Sequence, residues 1–293
     1  HFVENCHVYD FSRWDRTYTP AVWTDGVGTR IAHNLFHDSP GHALRLEGND
    51  HLVEFNEIHD VVYETDDQGA LDMFYNPTYR GVIIRYNFWH HIGDGRDQKM
   101  RAGVRLDDAI CGVLIYGNVF YRCGEGYFGG VQIHGGKDNV VDNNLFIDCK
   151  YAVSFSPWGA ERWRQYLQSP DGVNATTKTV DIHSPPYSTR YPALARLAEN
   201  PDVNMIGRNV LINGREFLAR DRGIQILIDN LTLSEDPGFV NATERNFALK
   251  PDSPIYRRIG FRPIPFGEIG LYEHPLRASW PARHEVGKHY AKP

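Results

Sequence analysis

Short runs of alternating apolar and polar residues recur along the chain, and each carries an asparagine at the same place. They read IAHNLF (31–36), VEFNEI (53–58), IRYNFW (84–89), IYGNVF (115–120), VDNNLF (141–146) and IGRNVL (206–211). An apolar residue stands three positions before the asparagine (Ile31, Val53, Ile84, Ile115, Val141, Ile206) and another two after it (Phe36, Ile58, Trp89, Phe120, Phe146, Leu211). Alternation over so few residues predicts strands buried on one face. The asparagines, Asn34, Asn56, Asn87, Asn118, Asn144 and Asn209, are separated by 22, 31, 31, 26 and 65 positions, and Asn5 and Asn230 are expected to extend the series. Helical repeats keep a stiff period, whereas strands stacked about 4.8 Å apart tolerate turns of varied length. A constant local pattern at irregular spacing predicts an all-β fold, a parallel β-helix, with 1–293 as a single domain.

Within such a coil the asparagine has a physical task. Its amide would bond the turn backbone and the asparagine of the next coil, satisfying polar groups that water cannot reach. Cys123 and Cys149 both lie five past their asparagine, where Val61 and Ile92 stand in other coils, and are expected to be stacked buried thiols, not a disulfide. His37, His59 and His90 lie three past theirs, with Asp38, Asp60 and His91 beside them. A repeated turn position of this kind predicts structural bonds between coils in preference to metal binding. The 65-residue step holds two helix-like segments, GAERWRQYLQ (159–168) and PALARLAE (192–199), so 156–205 is expected to be a helical insertion walling a groove. The Pro- and Gly-rich stretch 248–293 reads as a capping coil and an extended tail over the open end.

Two acid pairs, in YETDDQGALDMF (63–74) and VRLDDAICGVLIYGNVF (104–120), stand 41 positions apart, Asp66 from Asp107 and Asp67 from Asp108. Alternation turns Val104 and Leu106 inward and Arg105 and Asp107 outward. The next coil supplies VQIHGG (131–136), which is expected to place Gln132 beside Arg105 and His134 beside Asp107. The preceding coil offers Asp72, and earlier ones Arg45, Glu47, Trp23 and Asp25. Acids, Arg, His and Trp on one exterior face, where Lys, Thr and Ser would serve a solvated strand, suit an extended polysaccharide. Two carboxylates flanking a glycosidic bond hydrolyse it, about 5–5.5 Å apart for retention or about 6.5–9.5 Å for inversion. Repulsion between them raises one pKa, giving an acid and a base at the same pH. Acid pairs also cap turns, so one member of each is expected to be structural. Asp67 and Asp108 are the first choice of catalytic pair, with Asp66 and Asp107 in reserve. Arg105, His134, Asp72, Glu47 and Arg45 are expected to bind substrate. Trp158, at the mouth of the insertion, reads equally as a stacking platform or a core residue.

Composition narrows the partners. The 293 residues are 41% hydrophobic and 23% charged, with a formal net charge of −6. No run approaches the roughly 18 apolar residues of a membrane helix, and nothing is basic enough for a nucleic-acid partner. The four cysteines lack zinc-site spacing, and neither metal nor cofactor is expected. Residue 1 enters an organised segment with no initiator Met or leader before it, as expected of a mature or truncated chain.

The order ETDDQGA, TYRGVIIRYNFWHHI, VRLDDAICGVLIYGNVFYRC and VQIHGGKDNVVDNNLFIDC resembles the right-handed parallel β-helix glycoside hydrolases, closest to glycoside hydrolase family 141, which contains α-L-fucosidases and xylanases. The likeness extends over YPALARLAENP (191–201) and the ending from DPGFVN to GEIGLYE. It implies a polysaccharide or oligosaccharide substrate, no cofactor, a secreted or periplasmic location, and catalytic aspartates within Asp66–Asp67 and Asp107–Asp108. Relatives run longer upstream, which implies additional coils, or a partner chain, completing the substrate site. LDMFYNP (71–77) departs from the usual pattern and implies a different subsite. Two alternatives stand beside hydrolysis. A polysaccharide lyase or epimerase needs a Lys, Arg, Tyr or His base and cations for uronates, with Lys99 the nearest lysine. A polysaccharide-binding module would need no catalytic acid.

Overall fold

The computed structural model describes residues 1–96 and 99–291; positions 292 and 293 of the expected tail lie outside the described residues. Three parallel sheets of eight, eight and seven strands run side by side, each adding one strand per coil in strict order. One coil consists of Leu52–Glu54, Glu57–Val61 and Gln68–Phe74; the next of Ile83–Arg85, Phe88–Ile92 and Arg101–Asp107. Val131–His134 and then Tyr151–Ser156 follow on the third sheet.

The period-two runs form the first and second sheets as expected. Ile31, Val53, Ile84, Ile115, Val141 and Ile206 stack in register along the first. Phe36, Ile58, Trp89, Phe120, Phe146 and Leu211 stack along the second. All twelve are fully buried. Between these sheets each coil bends at a residue with φ between 48° and 64°: His33, Phe55, Tyr86, Gly117, Asn143, Arg208 and Asp229. The ladder asparagine comes next. From Asn34 through Asn56, Asn87, Asn118, Asn144 and Asn209 to Asn230, each amide donates to the next Oδ1 at 2.8–3.0 Å. Each backbone N–H donates to the same oxygen.

Asn5 does not join this ladder. It occupies the left-handed bend (φ 53°), which asparagine tolerates well, and Cys6 takes the ladder position, its N–H donating to Asn34 Oδ1 at 2.8 Å. A second ladder, unsuspected from the sequence, links Asn139, Asn204 and Gln225 at the turn into the first sheet. Cys123 and Cys149 are buried free thiols.

Helices Gly159–Gln168, Pro170–Val173, Tyr187–Arg190 and Pro192–Arg196 lie between Tyr151–Ser156 and Met205–Gly207, against the third-sheet side. Their anchor is a separate apolar cluster in which Trp163, Leu194 and Leu197 meet Ala109 and Cys111. Residues 248–291 do not cover the open end. Phe247, Ile255, Ile259 and Phe261 pack on the outward residues of the second sheet, Phe88, Val119, Leu145 and Val210. The chain then returns toward the first coil, where Gly270 N–H donates to Phe55 and Tyr272 N–H to Asn5. Ile226, Leu227 and Ile228 of the last coil stay about half exposed. The outer face of the second sheet is apolar enough to claim the tail; the coil end is left to solvent.

Candidate active site

The third sheet carries the chemistry. Its inward residues, Leu71, Val104 and Val131, are core, and the alternate positions Asp72, Arg105 and Gln132 form a cross-strand row on the outer face. The 41-residue spacing of the acid pairs is not the coil register. Arg105 pairs with Asp72, an offset of 33 where Asn87 and Asn118 are 31 apart, because the turn between the third-sheet strand and the next coil has eight residues after Phe74 (75–82) and six after Asp107 (108–113). The pairs therefore sit at opposite ends of the strands: Asp67 just ahead of Gln68, Asp108 just past Asp107.

Arg105 closes the gap. Its Nη2 bonds Asp67 Oδ1 at 2.9 Å and Asp107 Oδ2 at 2.6 Å, so these oxygens stand no more than about 5.5 Å apart, the sum of the two bonds. Gly69 makes this possible, since a Cβ there would fall 2.8 Å from Arg105 Cβ. Beneath lies Asp72, fully buried, accepting from Gly69 N–H at 3.0 Å and paired with His42 Nδ1 at 2.7 Å. Asp72 was expected to touch substrate; being covered, it can only position Arg105, whose Nη1 is 3.7 Å away.

His134 continues the row. Its Nδ1 is 2.9 Å from Asp107 Oδ1 and 3.2 Å from Asp108 Oδ1, and Arg162 from the first helix of the insertion reaches Asp108 at 3.4 Å. Burial pushes the Asp108 carboxyl above its ordinary range, and the adjacent Asp107 charge adds to the push, opposed by His134, Arg162 and Arg105. Asp67 is also raised, first by burial, against the pull of Arg105. Asp107, Asp108 and His134 are close enough to share a cation. The guanidinium groups of Arg105 and Arg162 already supply positive charge there, which favours acid–base chemistry over a metal at this point.

The other expected residues sort by the same geometry. Asp66 is a turn cap whose Oδ1 accepts from the N–H groups of Asp67 (2.8 Å) and Met100 (2.7 Å), so the reserve pair loses that member. Arg45 and Glu47 pair with each other at 2.7 Å, Arg45 lying over Trp23 and Phe74. Trp158 is buried against Trp163 and Tyr166, with Arg162 across its ring at 4.0 Å. It is a core residue of the insertion, not an open platform. Lys99 donates to the Glu64 carbonyl and does not line the groove.

Two hollows meet at the carboxylates. A cleft of about 870 Å³ and a smaller one of about 260 Å³ share Asp67, Asp107 and Asp108 in their walls. Tyr18, Tyr75, Tyr166 and Asp171 add to the larger, and Phe128 and Arg220 to the smaller. The sequence reading missed these contributors. Arg162 and Tyr166 were detectable, since residues four apart share a helix face; Tyr18 comes from an irregular loop with no periodic signal.

Residues 20–162 match the family model described as right handed beta helix region, a span holding every carboxylate of the cluster except Asp171. With three parallel sheets wound in coil order, the architecture is decided. The fold is a right-handed parallel β-helix. No curated protein and no solved structure matches it. Within this β-helix the carboxylate cluster occupies an outer face of the third sheet, walled by the helical excursion. No helix among the described residues is long and apolar enough to cross a membrane.

Proposed function

We propose that this β-helix protein is a secreted or periplasmic glycoside hydrolase acting on a plant- or algal-type polysaccharide, as its resemblance to family 141 implies. The observation that carries the reading is the meeting of two hollows at Asp67, Asp107 and Asp108, which leaves room for sugar on both sides of a bond held over the carboxylates. Asp108, with its raised pKa, serves as general acid and protonates the glycosidic oxygen as the leaving sugar departs as an alcohol. Asp67, held on Arg105, meets the positive charge at the anomeric carbon, by direct attack for retention or by deprotonating water for inversion. Asp107, held between Arg105 and His134, keeps both partners in place.

The larger cleft favours a neutral or basic sugar over a uronate, while the smaller hollow carries Arg105 and Arg220. Glu47, Asp67, Asp107, Asp108 and Asp171 line the larger cleft, and its one arginine, Arg45, is already paired with Glu47. In that cleft this weighs against the lyase or epimerase alternative, which needs cations for the substrate carboxylate; Arg220 in the smaller hollow, bonded to the neutral Gln132, is the cation such a reading would use. A polysaccharide panel assayed in parallel for new reducing ends and for the ultraviolet absorbance of unsaturated products separates the readings. Reducing ends without absorbance are expected. Absorbance would establish a lyase, and binding without turnover a carbohydrate-binding module.

A further inference from the structure

Away from the groove, the second sheet presents a column of histidines, one per coil. His7, His37, His59 and His90 stack with ring centroids 5.0, 4.9 and 4.7 Å apart. The upper two rungs satisfy each other, Nε2 to Nε2 at 2.8 Å. The lower two face a carboxylate and the returning tail. His90 Nε2 is 3.1 Å from Glu57 Oε1, and His59 Nε2 is 2.9 Å from Nδ1 of His284. Glu57, His59 and His90 each bring a donor atom to within 4.8 Å of the other two.

We infer that Glu57, His59 and His90, with His284 as the fourth donor, form a zinc-type metal site that pins the C-terminal tail to the β-helix. Tautomers support this. His59 and Asp60 are both fully buried, and Nδ1–H of His59 is committed to Asp60 Oδ2 at 2.7 Å, which leaves the Nε2 lone pair pointing at the tail. A carboxylate behind a ligating imidazole is the usual arrangement for orienting a metal ligand. His91 Nδ1 lies 2.9 Å from His90 Nδ1 and can hold that ring with Nε2 forward in the same way. Two neutral imidazoles, a third from the tail and one carboxylate make a four-donor set of the kind zinc takes. Zinc holds nitrogen and oxygen donors at about 2.0–2.2 Å, so neighbouring donors stand about 3.4 Å apart. The Glu57–His90 and His59–His284 pairs are already near that spacing, and the donor atoms of Glu57, His59 and His90, all within 4.8 Å of one another, close the remaining distance on binding. The tail beyond is tied to the same column: Gly287 N–H donates to Asp60 Oδ2 and His289 N–H to Asp60 Oδ1.

The test uses the full chain, stripped with chelator and titrated with Co²⁺ and Zn²⁺. One equivalent of Co²⁺ should bind and give the visible bands of four-coordinate nitrogen–oxygen ligation, which Zn²⁺ should displace. Zn²⁺ should also protect the tail from limited proteolysis. H284A, a change in the tail that leaves the coils untouched, should weaken binding at least about 10-fold. H90F keeps the ring stack and should abolish binding. Failure of the wild-type chain to bind, unchanged binding in H90F, or loss of binding only in D108N, which would put the ion in the groove, each overturns the site. Unchanged affinity in H284A overturns the role of the tail.

Discussion

Replacing Asn118 with Ala probes the ladder that holds the coils in register, and through them the carboxylates. Asn118 Oδ1 accepts from the Asn87 backbone N–H at 3.0 Å and from Asn87 Nδ2 at 2.9 Å, and its own Nδ2 donates to the Ile84 carbonyl at 2.9 Å. Asn87 Nδ2 keeps the Val53 and Arg85 carbonyls, and Asn144 Oδ1 keeps the Asn118 N–H. The group left stranded is the Asn87 N–H, on a fully buried residue. An orphaned buried donor costs about 1–3 kcal/mol, and loss of the bond to Ile84 adds about 1, for a total of about 2–4 kcal/mol. Asn230→Ala removes the last rung; it frees the N–H of the buried Asn209, but the place of the Asn230 amide is partly open to water, so the cost should be smaller than for Asn118→Ala. Urea unfolding followed by circular dichroism measures both. Equal losses in the two variants, or less than about 1 kcal/mol for Asn118→Ala, would refute a load carried by buried amides.

Other expectations follow from the site. Because the folded state raises the Asp108 pKa, it binds more protons than the unfolded chain between the ordinary and the raised value, so this group's contribution to stability falls as pH rises through that window. Asp108→Asn should therefore leave the melting temperature at neutral pH unchanged or higher, while turnover falls. The acid must be protonated to act, so activity should decline as pH climbs past the raised pKa. Asp107→Asn removes a charge that raises it and should move that limb to lower pH; Arg162→Ala removes one that lowers it and should move the limb higher, both read from kcat/KM profiles. Asp72→Ala leaves His42 and the Gly69 N–H without their buried partner and Arg105 with Asp67 and Asp107 alone, and should cost about 3–5 kcal/mol in urea unfolding.

The coil was legible because its signal is local: an apolar residue three before an asparagine and another two after it recur whatever the turn lengths. The same logic failed where identity depends on a single bend. Asn5 carries the right residue type one position early, and only its φ shows that Cys6 holds the ladder place. Outward placement of Arg105 and Asp107 followed from alternation, and so did His134 beside Asp107. Depth did not. Alternation assigns Asp72 to the outer face but cannot show that neighbouring segments cover it, nor that acid pairs 41 apart, where the strand register is 33, sit at opposite ends of their strands. The groove walls came from irregular loops and helices, where Tyr18 and Asp171 carry no periodic mark. The outward apolar residues of the second sheet, Phe88, Val119 and Leu145, were the available sign that the tail would lie there.

The most direct test of the account is reducing-end release from a responsive polysaccharide by the wild-type chain, Asp67→Asn and Asp108→Asn, assayed together with substrate affinity. Asparagine keeps each side chain's shape and removes its ionisable group, so both variants should fold and bind while turnover drops about 10²–10⁴-fold or more. Undiminished turnover in both variants, with the wild-type chain active, would contradict a mechanism built on these carboxylates.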